Sequence, residues 1–235
     1  MAGKRLTQAA GLVNRAASYS VPEAVGVLQQ MPPAKFDETV ELSVSLDIDP
    51  KKTDQLVRGT VTLPHGTGKT RRIAVFCKGE DELKAKQAGA DVIGAAELID
   101  KVQDGWLEFD VAVATPDLMR EVSKLGKILG PRGLMPNPKA GTVTTDVAKV
   151  INELRQGKIE FKMDKLANIH LVIGKRSFEP ARLAENGQAA LEAIVRARPA
   201  SQKGRLIKRV VLSSTMSAGV PVKTEGLEVD AAEES

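Results

Sequence analysis

The sequence predicts a mixed α/β and α+β protein of two domains. One is an α+β domain built from both chain ends, residues 1–67 and 159–235, and the other is a three-layer α/β domain, residues 68–158, inserted into it. Three observations carry this. From Val40 to Ile48 apolar and polar residues alternate strictly, the mark of a strand with one buried face. From Ile73 to Ala114 the pattern changes to a short continuous apolar run, Ile73–Cys77, and a second apolar run, Phe109–Ala114, separated by helical segments, as in a parallel sheet covered on both faces. After Gly157 the alternation returns.

In chain order, Met1–Pro22 carries Lys4, Arg5 and Arg15 and no acid. That composition mimics a transit peptide, but it is read as a basic helix that stays on. Ser20-Val-Pro-Glu23 is a capping-box pattern with proline in the first turn, so a helix should run to about Gln30, where Pro32-Pro33 stops it. Val57–Leu63 reads as a second strand. In the inserted block, helices over Glu80–Ala88 and Ala95–Gln103 surround a short strand at Val92–Ile93. Thr115-Pro-Asp117 opens another helix, and Val147, Val150, Ile151 and Leu154 repeat at helical spacing. Beyond Gly157, Ile159 and Phe161 begin a strand with Ile169–Ile173 as its expected hairpin partner, followed by a helix over Ala181–Ala197 and a strand over Leu206–Leu212. The chain crosses between the blocks near Gly66–Gly68 and near Gly157, and Gly66, Gly68 and Gly157 are the expected hinge.

The apolar and charged fractions, 42% and 27%, are those of an ordinary globular chain. The net charge of +4 is unevenly spread: from Pro221 onward it is −4, leaving +8 on residues 1–220. A basic body suits a nucleic-acid partner, and the acidic end reads as a frayed tail. A single cysteine, Cys77, excludes an internal disulfide framework, and no apolar run reaches the roughly 18 residues of a membrane span. Neither the cysteine nor His65 and His170 fall into a metal-ligand or catalytic pattern, so no metal, no cofactor and no enzyme activity are expected. Gly66-Thr-Gly-Lys-Thr70 invites a P-loop reading, but Leu63 stands where the first glycine is needed and the segment precedes a strand.

Ile128–Lys139 holds three prolines and two glycines with Arg132 and Lys139 as its only charges, a stiff cationic loop. Chemistry alone leaves two readings open, a platform for an anion or a rigid connection between helices. Arg196–Arg209 contains Arg196, Arg198, Lys203, Arg205, Lys208 and Arg209 and no acid, which suits phosphate contacts or a solvated helix end. Aromatic residues are only 3% of the chain, so RNA would be read by shape, phosphates and 2′-hydroxyls more than by stacking. Ser213-Ser-Thr-Met216 offers hydroxyls beside backbone amides, or is an ordinary strand end; Phe36 alone reads as a core anchor.

Gly130-Pro-Arg-Gly-Leu-Met-Pro-Asn-Pro-Lys139 closely resembles the signature of the bacterial ribosomal protein L-one family, the protein of the mobile large-subunit stalk. Ala34-Lys-Phe-Asp-Glu-Thr-Val40, Val57–Gly68 and Ser213-Ser-Thr-Met216 resemble that family in the same order, and the likeness covers almost the whole chain. The resemblance implies RNA contacts by Lys35, Phe36, Thr39, Glu41, Ser213, Ser214, Thr215, Met216 and Ser217, and an adjoining contact segment with Lys162, Asp164 and Lys165. Arg132 and Lys139 are a candidate second RNA contact. Ser217 stands where the family has glycine, and Met163 where asparagine is usual, so one polar contact is expected to be missing.

The resemblance further implies a structural constituent of the large ribosomal subunit, cytoplasmic and on the ribosome, and monomeric when free. Its partners would be stalk rRNA, tRNA at the exit site, other ribosomal components and its own mRNA leader, with no membrane. It would assist release of deacylated tRNA and repress its own translation. The rival readings are a phosphate- or nucleotide-binding α/β enzyme and a non-specific RNA chaperone.

Overall fold

The computed structural model describes residues 3–14, 16–202 and 204–224. Lys203 of the basic run and the acidic end beyond Thr224 lie outside the described residues. The chain forms two compact units, Met1–Gly68 with Ile159–Ser235, and Lys69–Lys158.

The elements follow the sequence pattern closely. Helix α1 spans Lys4–Gly11 and α2 Val21–Gln30. At α2 the full capping box is present: Ser20 Oγ accepts from Glu23 N–H, and Glu23 Oε2 accepts from Ser20 N–H at 2.8 Å. Strands β1 (Thr39–Leu46) and β2 (Arg58–Thr62) come next. The second unit holds β3 (Ile73–Phe76), α3 (Glu80–Gln87), β4 (Val92–Gly94), α4 (Ala96–Gln103) and β5 (Val111–Ala114). After Thr115 one helix was expected; instead 3-10 turns alternate with the short α5 (Met119–Val122) and α6 (Gly126–Leu129). Then come α7 (Val147–Arg155), β6 (Lys158–Lys162), β7 (Asn168–Lys175), α8 (Pro180–Arg196), β8 (Ile207–Ser214) and β9 (Val220–Val222).

The second unit is the expected three-layer α/β block. Its strands are parallel in the order β4-β3-β5. Ala74 and Phe76 point into a core with Leu98, Ile99 and Val102 of α4, whereas Ile73 and Val75 meet Ala85 of α3 and Val150 and Ile151 of α7. A strand buried on both faces must be apolar throughout, which is why no alternation is visible there.

In the first unit the antiparallel sheet runs β7-β1-β8-β9. Val40, Leu42, Val44 and Leu46 of β1 face a core shared with Leu28 of α2 and Leu183, Leu191 and Ile194 of α8. The opposite face is polar. The expected hairpin of Ile159–Phe161 with Ile169–Ile173 is not formed: β6 pairs with β2 in a separate two-stranded sheet, while β7 pairs with β1. The connection 163–167 turns the chain from one sheet into the other, with Asp164 Oδ1 accepting from Leu166 and Asn168 N–H groups, both at 2.8 Å, and Ala167 at φ 60°.

Candidate nucleic-acid interface

One end of the four-stranded sheet is organised by a residue that the sequence pattern did not single out. Glu38 is fully buried, two positions before Val40 and on the same inward face of the incoming strand. Its Oε1 accepts from Ala34 N–H at 2.7 Å, Arg5 Nη1 at 3.3 Å and Arg176 Nη1 at 3.4 Å. Its Oε2 accepts from the Ser214 hydroxyl and from Met216 N–H at 3.3 Å. Burial pushes this carboxyl up, but the donors Ser214, Ala34 and Met216 and the charge of Arg176 outweigh it, and the net shift is below the ordinary value. An acid in phase with a buried apolar face is the signal that could have found it, since an inward carboxylate must be paired.

Around that carboxylate the loop before β1 is fixed. Asp37 accepts from Ser177 N–H at 3.1 Å and Ser177 hydroxyl at 2.9 Å, and Arg176 N–H donates to the Glu38 carbonyl at 2.8 Å. Asp37 and Glu38 are thereby turned toward protein, and Lys35 and Phe36 are left outward. Phe36 is 55% exposed, so the core-anchor reading of that ring is ruled out. Beside it, Thr39 N–H donates to Thr215 Oγ1 at 3.0 Å, and Lys175 Nζ donates to Thr39 Oγ1 at 2.8 Å. Lys175 is a half-buried cation that carried no mark in the sequence. Glu41 and Ser213 are cross-strand partners on the outer face, and a register shift at Val40/Glu41 bends the ladder there.

The segment Ser213–Ser217 divides into roles. Ser213, Thr215 and Met216 face outward, Met216 with 51% of its surface exposed. Ser214 does not: it is buried with its hydroxyl on Glu38, so its expected place among the RNA contacts is corrected to a support inside the turn. Ser217 closes the turn, its Oγ accepting from Ser214 N–H at 2.8 Å.

Lys162, Asp164 and Lys165 do not adjoin this cluster. They lie at the other end of β1, where Leu46 N–H donates to the Ala167 carbonyl at 2.8 Å. At about 3.3 Å per residue the two groups stand roughly 20 Å apart. Met163 is buried in the core, its side chain pointing inward, so it offers no polar group to that surface. Between the two ends the outer sheet face forms an open groove lined by Ser43, Ser45, Asn168, His170, Lys208 and Arg209. Ser43 Oγ and His170 Nδ1 are 3.0 Å apart, and Lys208 and Arg209 are exposed cations.

In the second unit, Ile128–Lys139 is an ordered turn. Leu134 N–H donates to the Leu129 carbonyl at 3.0 Å, and Asn137 N–H to Thr142 Oγ1 at 2.7 Å. Arg132 is exposed at its tip, and Lys139 sits in the short turn Pro138–Ala140. The three glycines expected as a hinge all take positive φ, 63° at Gly66, 73° at Gly68 and 102° at Gly157.

Gly66–Thr70 opens no helix, and Gly66 is tied by its carbonyl to the buried Asn186 at 3.0 Å. Burial, then the charges of Glu82 and Asp81, push the Cys77 thiol up to about 11, the reverse of a nucleophile. Among the described residues no His, Cys, Asp or Glu cluster could hold a metal, and no helix is long and apolar enough to cross a membrane.

A half-open antiparallel sheet whose free face carries hydroxyls, cations and an outward ring at one end is the make-up of a nucleic-acid-binding protein. The chain belongs to the Ribosomal protein L1p/L10e family, which it matches over residues 28–218. It is therefore a structural protein of the ribosome that binds rRNA, and its partners include other ribosomal components.

Proposed function

We propose that the protein is a bacterial-type, cytoplasmic, non-enzymatic component of the large subunit, monomeric when free, which grips the stalk rRNA with its first unit. Lys35, Phe36, Thr39, Glu41, Ser213, Thr215 and Met216 make the specific contact. Phe36 offers a flat face to an unstacked base or sugar, the threonines and Ser213 offer hydroxyls to 2′-OH groups, and Lys35 with Lys175 meets phosphate. Lys208, Arg209, Lys162 and Lys165 carry the backbone along the outer sheet face, and Asp164 holds the turn that presents Lys165. The observation that carries this reading is the convergence on one buried carboxylate, Glu38, of the two segments that bear the outward groups.

Bound in this way, the first unit anchors the chain, and the second moves about Gly66, Gly68 and Gly157 to help release deacylated tRNA from the exit site, with Arg132 and Lys139 touching RNA. Competition between stalk rRNA and a similar fold in its own mRNA leader makes the free protein a repressor of its own translation.

The test is a competition titration of the purified protein on the stalk rRNA fragment, its own leader transcript and a scrambled hairpin of equal length. Specific RNA should be bound at least about 10³-fold more tightly than the scrambled hairpin at physiological salt. Equal binding to all three would favour a non-specific chaperone. Binding of stalk RNA without the leader would remove the repressor role.

A further inference from the structure

Arg5 lies 211 residues from Met216 in sequence, yet its guanidinium holds that residue's backbone. Arg5 Nη2 donates to the Met216 carbonyl at 2.8 Å, while Nη1 donates to Glu38 Oε1 at 3.3 Å and reaches the Pro32 carbonyl at 3.5 Å. The Met216 N–H donates in turn to Glu38 Oε2. The two sides of one peptide turn are thus held by the two members of one ion pair, Arg5 on the carbonyl and Glu38 on the amide. The side chain of Arg5 is only about one-third exposed and its directed bonds all end on protein.

Besides this fork, helix α1 is seated by Ala9 and by Val13 just beyond its end, both in the first unit's core. Its N-cap, Gly3, makes no side-chain cap bond, and Ala9 is its one buried residue. Eight residues are too few to form a stable helix alone. Leu6 and Leu12 remain exposed. The Arg5 fork is the polar tie of α1 to the rest of the unit, and it in turn depends on the position of the Met216 turn.

We infer that Arg5 and Glu38 are positioning residues for RNA recognition: through them the docked N-terminal helix fixes the Met216 turn against the Phe36 loop. Neither touches RNA. This rests on the reading of Phe36, Thr215 and Met216 as RNA contacts. Because coupling is reciprocal, RNA bound at the turn strengthens the seating of α1. A lysine at position 5 keeps the charge but cannot bridge a carboxylate and a carbonyl as a planar fork does.

The experiment has two arms, on the full chain and its Arg5→Ala and Arg5→Lys variants. In the free protein, hydrogen exchange at Met216 and Ser217 should speed about ten-fold in both variants, with Val44 in the middle of β1 unchanged. Unchanged exchange at the turn overturns the clamp. In the second arm, binding to the stalk fragment and to a scrambled hairpin is titrated over a range of salt. Both variants should lose about ten-fold of the preference for stalk RNA with the wild-type salt slope. A slope lower by about 0.7–0.9 in Arg5→Ala and restored in Arg5→Lys would overturn the inference, because Arg5 would then be a phosphate contact. If the wild type shows no preference, the RNA reading fails and the recognition role of the clamp with it, while the exchange arm still decides whether the clamp exists.

Discussion

Thr39 and Thr215 close the ends of two neighbouring strands on each other. Thr215 N–H donates to the Thr39 carbonyl and Thr39 N–H donates to Thr215 Oγ1, each at 3.0 Å. The Thr215 side chain thus replaces a ladder bond, and Thr215 and Met216 are both exposed at the strand end. Thr215→Val keeps the shape and removes the acceptor. Stability should fall by about 1 kcal/mol and stalk-RNA affinity by about ten-fold, whereas Thr215→Ser should restore most of both. Urea unfolding alongside RNA titration checks this.

Phe36 separates binding from folding. With the residue 55% exposed, Phe36→Ala should change unfolding free energy by no more than about 0.5 kcal/mol. If the ring stacks on a base or sugar, the same change should weaken stalk-RNA binding by roughly 1–3 kcal/mol and leave scrambled RNA nearly unaffected.

Glu38 makes stability depend on pH. Its folded carboxyl titrates below the ordinary 4.5, so its contribution is fully present above that value and is lost as pH falls through the folded one. At neutral pH Glu38→Gln should cost about 2–3 kcal/mol, because Arg5 and Arg176 lose their counter-charge while remaining partly solvated. The gap between wild type and variant in urea midpoint should narrow steadily below pH 4.5. A gap that stays constant on acidification would contradict the assignment.

The sequence made the frame of the molecule legible and left its fastening hidden. The capping box at Ser20 and Glu23, the alternation along β1 and the doubly buried runs of β3 and β5 depend on local rules, and they reappear in the structure. The pairing of β6 was misread because adjacency in sequence was taken for adjacency in a sheet. The Asp164 turn instead carries the chain away, and β6 joins β2 from the far side of the inserted segment. Nothing in the sequence marks Arg5, Arg176 and Ser214 as partners, since only three-dimensional contact shows that they meet one carboxylate. The motif implies an outward Ser214, but strand phase turns it inward.

Gly68 tests the backbone at the first crossing. It combines φ 73° with a position where an added Cβ would stand 2.8 Å from the ring of Phe178. Gly68→Ala should destabilise the first unit by about 1–3 kcal/mol, read as a lower unfolding midpoint.

Lys208 and Arg209 separate grip from recognition. Replacing either by alanine should weaken binding to stalk and scrambled RNA alike, and lower the salt slope by about 0.7–0.9 for each phosphate that is no longer neutralised. A selective effect on stalk RNA would mean that these cations read a particular shape.

Specific RNA recognition is proposed for the sheet end organised by Glu38. The most direct measurement is the ratio of stalk to scrambled RNA affinity at physiological salt, for the wild type and for Phe36→Ala. A wild-type ratio of at least about 10³ should fall by roughly ten-fold or more in the variant, with both proteins equally folded. A wild-type ratio near one, or a high ratio untouched by removing the ring, would contradict it.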